Sequence, residues 1–248
     1  MPRAFITGAS AGIGMATARA FAKHGFGLIL VARREEKLRA FADSLGVPCT
    51  ILALDVTDAH ALAAAQKAHP DAFENVDVLV NNAGLAIGTD PLQDGDPDEW
   101  DRVIDTNVKA LLRVTRAILP GMLKRGSGHV VNLGSTAGHW VYPGGAVYCA
   151  SKHAVKAINE GLRMDLHGLG IRVTSVDPGL VGGTEFSDVR FRGDTEKARG
   201  VYKGLQPLTP EDIAETIVWC VQRPAHVNIQ DIVLTPVAQA SVSLVKRS

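Results

Sequence analysis

Short apolar runs alternate with longer helical patterns along the whole of this 248-residue chain. The apolar runs are rich in Val, Ile and Leu, which is typical of parallel strands that are buried on both faces. They predict seven strands, at residues 4–7, 27–32, 49–54, 76–80, 128–133, 172–176 and 229–234. The helical patterns predict six helices, at residues 13–23, 35–45, 59–68, 98–124, 146–166 and 211–221.

Regular alternation of strands and helices predicts the α/β fold class, with one parallel sheet covered by helices on both faces. Seven strands and six helices fit a single doubly wound domain over residues 1–248. Only the segment 179–207, rich in glycine and charged residues, breaks the alternation. It follows the sixth strand at a carboxyl end of the sheet, where ligands of such folds bind, so we expect a substrate lid there.

Composition narrows the function classes. The 26 basic and 26 acidic residues give a formal net charge of zero, so nucleic acid and anionic membrane surfaces are not expected as partners. No apolar run approaches the roughly 20 residues that a bilayer span needs, and Met1 lies too close to the first strand for a targeting segment. The three cysteines are far apart and lack metal-ligand spacing, so we expect reduced thiols, no metal and a cytoplasmic location.

A glycine-rich turn joins the first strand to the first helix. Glycines allow the backbone to approach a pyrophosphate closely, and the helix N-terminus presents free N–H groups. The turn therefore predicts a dinucleotide-binding site, with a tight turn that holds no ligand as the alternative. Its candidate cofactor-binding residues are Gly8, Ser10, Gly12, Ile13 and Gly14.

The end of the second strand indicates which dinucleotide binds. An acidic residue at this position bonds the ribose 2′-hydroxyl of NAD, whereas arginine binds the 2′-phosphate of NADP. Arg33 and Arg34 stand there, so we predict NADP as the cofactor. The alternative is a solvated helix start, because two glutamates follow. Asp55 and Val56, at the end of the third strand, are expected beside the adenine.

Tyr148 and Lys152 are four residues apart on a predicted helix and therefore share one of its faces. A tyrosine with its usual pKa of about 10 is a poor proton donor or acceptor near neutral pH. A fixed ammonium group nearby favours the phenolate and lowers that pKa. The pair predicts acid–base chemistry only in the right context, because the spacing alone is weak evidence.

Further motifs supply that context in a fixed order along the chain: Asn81-Asn82-Ala83-Gly84, Asn107 in a long helix, Ser135 after the fifth strand, and Pro178-Gly179 after the sixth. Together with the glycine-rich turn and the Tyr148/Lys152 pair, they resemble the short-chain dehydrogenase/reductase family. The stretches 134–138, 178–186 and 224–229 resemble its branch of NADP-dependent 3-hydroxy acid dehydrogenases. The resemblance implies a Rossmann fold with strand order 3-2-1-4-5-6-7 and three helices on each face.

The resemblance also implies roles for individual residues. Ser135 would donate a hydrogen bond to the substrate oxygen, Tyr148 would transfer the proton, and Lys152 would lower the tyrosine pKa and bind the nicotinamide ribose. Asn107 would hold a water that links Lys152 to solvent; the alternative is a polar residue that satisfies a helix kink. Further cofactor contacts are expected from Asn82, Ala83, Gly84, Pro178, Gly179, Leu180, Val181 and Thr184.

The implied reaction is hydride transfer between NADP and the 3-hydroxyl or 3-oxo group of a small acid: serine, allo-threonine, 3-hydroxypropionate (malonic semialdehyde when oxidised) or 3-hydroxyisobutyrate. The substrate carboxylate needs a cation, and Arg190 in the lid-like segment is the candidate. The alternative is a solvated loop residue that pairs with Asp188 or Asp194. Trp140 and Tyr142 are candidates for the apolar side of the pocket, with core packing as the alternative.

Other functions remain open at this stage. A carbonyl reductase or a 3-oxoacyl-carrier-protein reductase would use the same chemistry, although a neutral chain shows no basic docking face for an acidic carrier. A dinucleotide-sensing regulator would be expected to lose Ser135, Tyr148 or Lys152, and all three are present. The family pairs the helices at 98–124 and 146–166 across subunits, so a homotetramer is expected, with a dimer as the alternative.

Overall fold

All strands of the sheet run parallel in the computed structural model, which describes residues 1–248. The strand order is β3-β2-β1-β4-β5-β6-β7, as the resemblance implies. The order reverses direction between β1 and β4, which opens a crevice at the carboxyl ends of the strands. The strands are β1 (Arg3–Thr7), β2 (Gly27–Ala32), β3 (Cys49–Ala53), β4 (Val78–Asn81), β5 (Gly128–Leu133), β6 (Ile171–Pro178) and β7 (Asp231–Leu234).

Ten α-helices connect and flank these strands. Five of the six predicted helices are present as single elements, with bounds that shift by one or two residues. The helices are α1 (Gly12–Lys23), α2 (Glu35–Asp43), α3 (Ala59–Ala68), α4 (Pro70–Glu74), α5 (Pro97–Ile104), α6 (Leu111–Arg125), α7 (Ala146–Asp165), α8 (Phe186–Arg190), α9 (Thr195–Gly200) and α10 (Pro210–Val221). The helix predicted over 98–124 is present, with helical backbone from residue 97 to 125, but a π-helical segment, Asp105–Ala110, divides it into α5 and α6.

Two apolar cores lie on opposite faces of the sheet, because successive side chains of each strand point to opposite sides. On one face, Ile6 of β1 belongs to a core that includes residues of α1, α2 and α10. On the other face, Phe5 belongs to a core that includes residues of α3, α4 and α6, with Leu166 at the end of α7. The first face carries three helices as expected, and the second carries three long helices and the short α4. No helix of the protein combines the length and apolarity needed to cross a membrane.

The segment after β6 contains two short helices, α8 and α9, which the sequence pattern did not predict. Val181 and Leu208 form a parallel bridge that joins the two ends of the segment. The segment therefore leaves the sheet and returns close to its starting point, beside the carboxyl ends of the strands.

Candidate active site

A cavity of about 910 Å³ opens at the carboxyl ends of the strands. It is lined by the turn after β1, the ends of β2 and β3, the loop after β4, the end of β5, one face of α7 and the segment after β6. The fold thus gathers residues that are far apart in sequence. All of the predicted catalytic, cofactor-binding and substrate-binding residues except Gly14 and Asn107 line this cavity, whereas the two aromatic candidates, Trp140 and Tyr142, do not.

The glycine-rich turn packs against the loop after β4. A β-carbon at Gly14 would overlap the carbonyl oxygen of Gly8 and the side-chain amide of Asn82. Glycine at this position therefore allows α1 to start directly against the turn, with its N-terminus facing the cavity. Asn82 holds the arrangement from the other side, because its amide nitrogen donates to the Thr7 carbonyl over 2.8 Å.

Arg34 reaches across the cavity mouth. Its guanidinium donates two parallel hydrogen bonds to the carboxylate of Glu185, both 2.9 Å long, and contacts the Ser10 hydroxyl at 3.0 Å. Lys37 lies 3.2 Å from the same carboxylate. The hydrogen bonds from Arg34 lower the Glu185 pKa below its usual range, and burial opposes this only partly.

Glu185 and Lys37 were missed by the sequence analysis. Glu185 stands 151 positions from Arg34, and no local pattern links two such residues. Arg33 is more exposed and lies 3.6 Å from the carboxylate of Asp55. The cation pair predicted at the end of β2 therefore lines the cavity, and each arginine has an acidic neighbour.

Tyr148 and Lys152 lie on the buried face of α7, as their spacing predicts. The Lys152 ammonium donates to the carbonyl of Leu133 over 2.8 Å and lies 5.9 Å from the centre of the Tyr148 ring. Burial lowers the Lys152 pKa to about 8, and the negative charge of Asp177 opposes this only partly. Both side chains are thus held close together in a site that disfavours charge.

The Tyr148 pKa differs from the expectation. Burial raises the Tyr148 pKa above its usual range, which outweighs the opposing effects of the nearby Ser135 hydroxyl and of the positive charge of Arg190. The lowering expected from Lys152 is therefore not what governs this tyrosine. The Ser135 hydroxyl also accepts from the Ala137 N–H at 3.1 Å, which fixes it at the end of β5.

Asn107 lies in the π-helical segment and is almost fully buried. Its oxygen accepts from the Leu85 N–H over 2.8 Å, and its amide nitrogen donates to the Leu85 carbonyl and to the Ser151 hydroxyl. The side chain thus ties the helix distortion to the loop after β4 and to the neighbour of Lys152. None of these hydrogen bonds goes to the backbone of the π-helical segment itself, so the role of satisfying a helix kink and the water relay through Asn107 both stay predictions.

Arg190 brings an unpaired positive charge into the cavity. Its only side-chain hydrogen bond goes from Nη1 to the Tyr142 hydroxyl, over 3.0 Å, and its Nε is buried without a partner. The guanidinium carbon lies 6.0 Å from the centre of the Tyr148 ring. The alternative of a loop residue paired with Asp188 or Asp194 is wrong, because neither acid forms an ion pair with Arg190; Asp194 pairs with Lys197 instead.

The aromatic residues near the cavity differ in whether they line it. Phe186 packs against the Tyr148 ring with 5.7 Å between ring centres, and it lines the cavity. Trp140 is 43% exposed and does not line the cavity, so neither the pocket nor the core expectation holds for it. Tyr142 contacts the cavity only through Arg190, which no spacing rule in the sequence indicates.

Comparison with known proteins agrees with this geometry. The family model described as short chain dehydrogenase matches residues 2–194. The chain is 48% identical over 239 residues to a protein of Salmonella typhi named NADP-dependent 3-hydroxy acid dehydrogenase, and the match covers 96% of each chain. It is 46% identical to a serine 3-dehydrogenase of Agrobacterium fabrum, covering 95% of this chain and 94% of the relative.

Solved structures of similar proteins share the fold. The closed form of a serine dehydrogenase complexed with NADP⁺ superimposes with a TM-score of 0.94 at 46% identity, covering 99% of this chain and all of that one. A serine dehydrogenase from Escherichia coli gives a TM-score of 0.84 at 42% identity, covering 96% of this chain and 99% of that one. The similarity therefore extends over the cavity and the segment that carries Arg190.

Proposed function

The chain belongs to the short-chain dehydrogenase family, and from that premise we propose that it is an NADP-dependent dehydrogenase of small 3-hydroxy acids. The reaction is hydride transfer between the nicotinamide and the 3-hydroxyl or 3-oxo group of the acid. Serine, allo-threonine, 3-hydroxypropionate and 3-hydroxyisobutyrate are the candidate substrates. The names of relatives that match nearly the whole chain support this choice over a general carbonyl reductase.

One observation carries the substrate class: the unpaired guanidinium of Arg190 beside Tyr148. A guanidinium offers five donors, and only one of them is used within the protein. Arg190 is half-buried, and a cation that is partly withdrawn from water without a counterion favours an anionic ligand. A carboxylate fits it with charge-assisted hydrogen bonds, and a 3-hydroxy acid places its reacting carbon two bonds from that carboxylate.

The residues at the other end of the cavity fit NADP. The Arg34 guanidinium, together with the Ser10 hydroxyl, suits a 2′-phosphate, and Gly14 allows the N-terminus of α1 to face a pyrophosphate. The contact with Glu185 must open or rearrange for the phosphate to bind, because a carboxylate and a phosphate repel each other. When bound, the nicotinamide supplies or accepts the hydride.

The protein's own residues handle the oxygen and its proton. In the reducing direction, negative charge builds on the carbonyl oxygen as the hydride adds to the carbon. The Ser135 hydroxyl stabilises that charge, and Tyr148 donates its phenolic proton to the oxygen. Lys152 then stabilises the phenolate that remains, and in the oxidising direction the same groups act in reverse.

Replacement of Arg190 by alanine tests the substrate class. With NADP⁺ reduction as the assay, we expect KM for 3-hydroxypropionate to rise roughly 10- to 100-fold, since hydrogen bonds to charged groups are worth about 1.5–3 kcal/mol. KM for its uncharged methyl ester is expected to change less than about twofold, because the ester has no carboxylate for Arg190 to bind.

Arg199→Ala is the matched control, because Arg199 lies in the same segment, is exposed and forms no ion pair in the protein. It is expected to affect neither substrate. Equal effects of Arg190→Ala on the acid and the ester would contradict the proposal and favour a carbonyl reductase.

Three further points belong to the same proposal. The segment 179–207 is a substrate lid, which the position of Arg190 on α8 supports. The protein is a homotetramer, which is supported by the apolar side chains that α6 and α7 expose to solvent: Leu112, Leu123 and Met164. A cytoplasmic location stays a prediction from the sequence.

A further inference from the structure

Tyr142 is fixed to the helix that carries the reacting tyrosine. It precedes α7 by four residues, and its ring packs on Gly145 so closely that a β-carbon there would overlap the ring. The Gly145 N–H donates to the Tyr142 carbonyl over 3.1 Å, which closes the turn between them. The position of the ring is therefore set by the start of α7.

The other end of Tyr142 contacts the segment after β6. Its hydroxyl accepts the hydrogen bond from Arg190, and its ring centre lies 5.2 Å from the guanidinium carbon, within cation–π range. Tyr142 is the only side chain that forms a hydrogen bond with this guanidinium. A side chain with as many rotatable bonds as arginine needs such a partner to keep one orientation.

The chemistry of this partner is as informative as its position. A carboxylate would orient the guanidinium but would also neutralise it, and a substrate acid would then gain little. A phenol orients the guanidinium and leaves its charge free. Burial raises the Tyr142 pKa in spite of the opposing effect of Arg190, so the hydroxyl remains a neutral acceptor at physiological pH.

We propose that Tyr142 is a positioning residue for substrate specificity: it holds the Arg190 guanidinium at a fixed place relative to Tyr148, so that an acid bound to Arg190 presents its 3-carbon to the reacting groups. The inference rests on the proposed role of Arg190. Tyr142 does not line the cavity, and it acts by linking the lid cation to the helix that carries Tyr148 and Lys152.

The variant Tyr142→Phe tests the inference, because it removes the hydroxyl and keeps the ring on Gly145. We expect KM for 3-hydroxypropionate to rise roughly three- to tenfold, the equivalent of one net hydrogen bond. KM and kcat for the methyl ester, and the affinity for NADPH measured by fluorescence titration, are expected to stay unchanged. A general disturbance of the fold would instead alter kcat for both substrates.

Two comparisons sharpen the test. The double variant Tyr142→Phe/Arg190→Ala is expected to equal Arg190→Ala alone, because the hydroxyl acts only through the guanidinium. Tyr202→Phe is the comparison for loss of a tyrosine hydroxyl in the same segment: that hydroxyl donates to the Val181 carbonyl at 2.9 Å and contacts the Ser187 hydroxyl of α8 at 2.8 Å, but it does not contact Arg190. The ratio of acid to ester KM should therefore change less than in Tyr142→Phe.

The possible outcomes distinguish the positioning role of Tyr142 from the proposed substrate class. If Arg190→Ala discriminates between acid and ester but Tyr142→Phe does not, the positioning role is overturned and the proposed function stands. Equal losses on both substrates in Tyr142→Phe would also overturn it, in favour of a purely structural contact. If Arg190→Ala changes KM for the acid and the ester equally, the proposed substrate class itself is contradicted.

Discussion

At the scale of the residue, burial dominates the pKa values of Lys152 and Tyr148, the two groups proposed to handle the proton. It lowers the Lys152 pKa to about 8 and raises the Tyr148 pKa, so that both side chains are displaced toward their uncharged forms. Only three side chains oppose this displacement: Asp177 for Lys152, and Ser135 and Arg190 for Tyr148. A charge on either side chain therefore lowers the free energy of unfolding, and this effect can be measured.

The contribution of Lys152 to the free energy of unfolding depends on pH, and the direction follows from its lowered pKa. The Lys152 pKa falls from its ordinary value of 10.5 to about 8 on folding, so between these values the unfolded chain binds more protons than the folded one. The unfolding free energy of the native protein is then expected to rise with pH relative to Lys152→Met, by up to about 1.4 kcal/mol per pH unit. Below pH 8 the difference should be constant.

Urea denaturation at pH 7, 8, 9 and 10 measures this difference. Lys156→Met, one turn further along α7, is the control for the loss of a lysine as such. A difference between native protein and Lys152→Met that stays flat from pH 8 to 10 would contradict the assignment of a lowered pKa.

At the scale of the element, α8 is attached to the rest of the protein on both sides by ion pairs. Glu185 precedes it and binds Arg34, whereas Arg192 follows it and binds Asp90 and Glu99 at 2.7 and 2.8 Å. These contacts add to the packing of Phe186 on Tyr148 and to the hydrogen bond between Arg190 and Tyr142, which also hold this five-residue helix. The position of Arg190 therefore depends in part on electrostatics that salt can screen.

Arg192→Ala tests that dependence. Exposed ion pairs are worth about 1 kcal/mol or less each, so we expect a rise of roughly two- to fivefold in KM for 3-hydroxypropionate. Hydrogen exchange of residues 186–200 should become faster, because one attachment is lost. In 0.5 M NaCl, the native protein should approach the variant in KM, and a KM that is identical in both proteins at low salt would refute the attachment.

Some features of these elements could be predicted from the sequence, and others could not. Periodicity located α5 and α6 but not the π-helical segment between them, because its stabilising partner, Leu85, lies 22 residues from Asn107. Most of the predicted cofactor residues come from local motifs at strand ends and the Tyr148/Lys152 pair from the spacing on a helix, and the fold brings them to one cavity. Glu185 and Tyr142 act through partners 151 and 48 positions away, and no local pattern encodes such pairs.

At the scale of the whole molecule, α6 and α7 expose apolar side chains that a monomer would leave in water. Leu112 is 44% exposed and Met164 is 76% exposed. We expect sedimentation equilibrium to give four times the chain mass of 26.3 kDa. A charge placed at such a contact is expensive, so Leu112→Arg/Met164→Arg should shift the protein to a smaller species.

Leu92→Arg is the control for that experiment, because Leu92 is 56% exposed on a separate 3₁₀ helix, Leu92–Asp94. It should leave the mass unchanged. A native protein that sediments as a single chain at all concentrations would contradict the tetramer.

The short helix α8 can be redesigned without changing the apolar cores of the protein. None of its residues belongs to either apolar core, so the scaffold does not depend on what this helix carries. Under the proposed function, cofactor choice depends on residues near the start of the chain, and proton transfer depends on α7. Exchange of α8 alone is therefore expected to change the preference for acids while cofactor choice and proton transfer are kept.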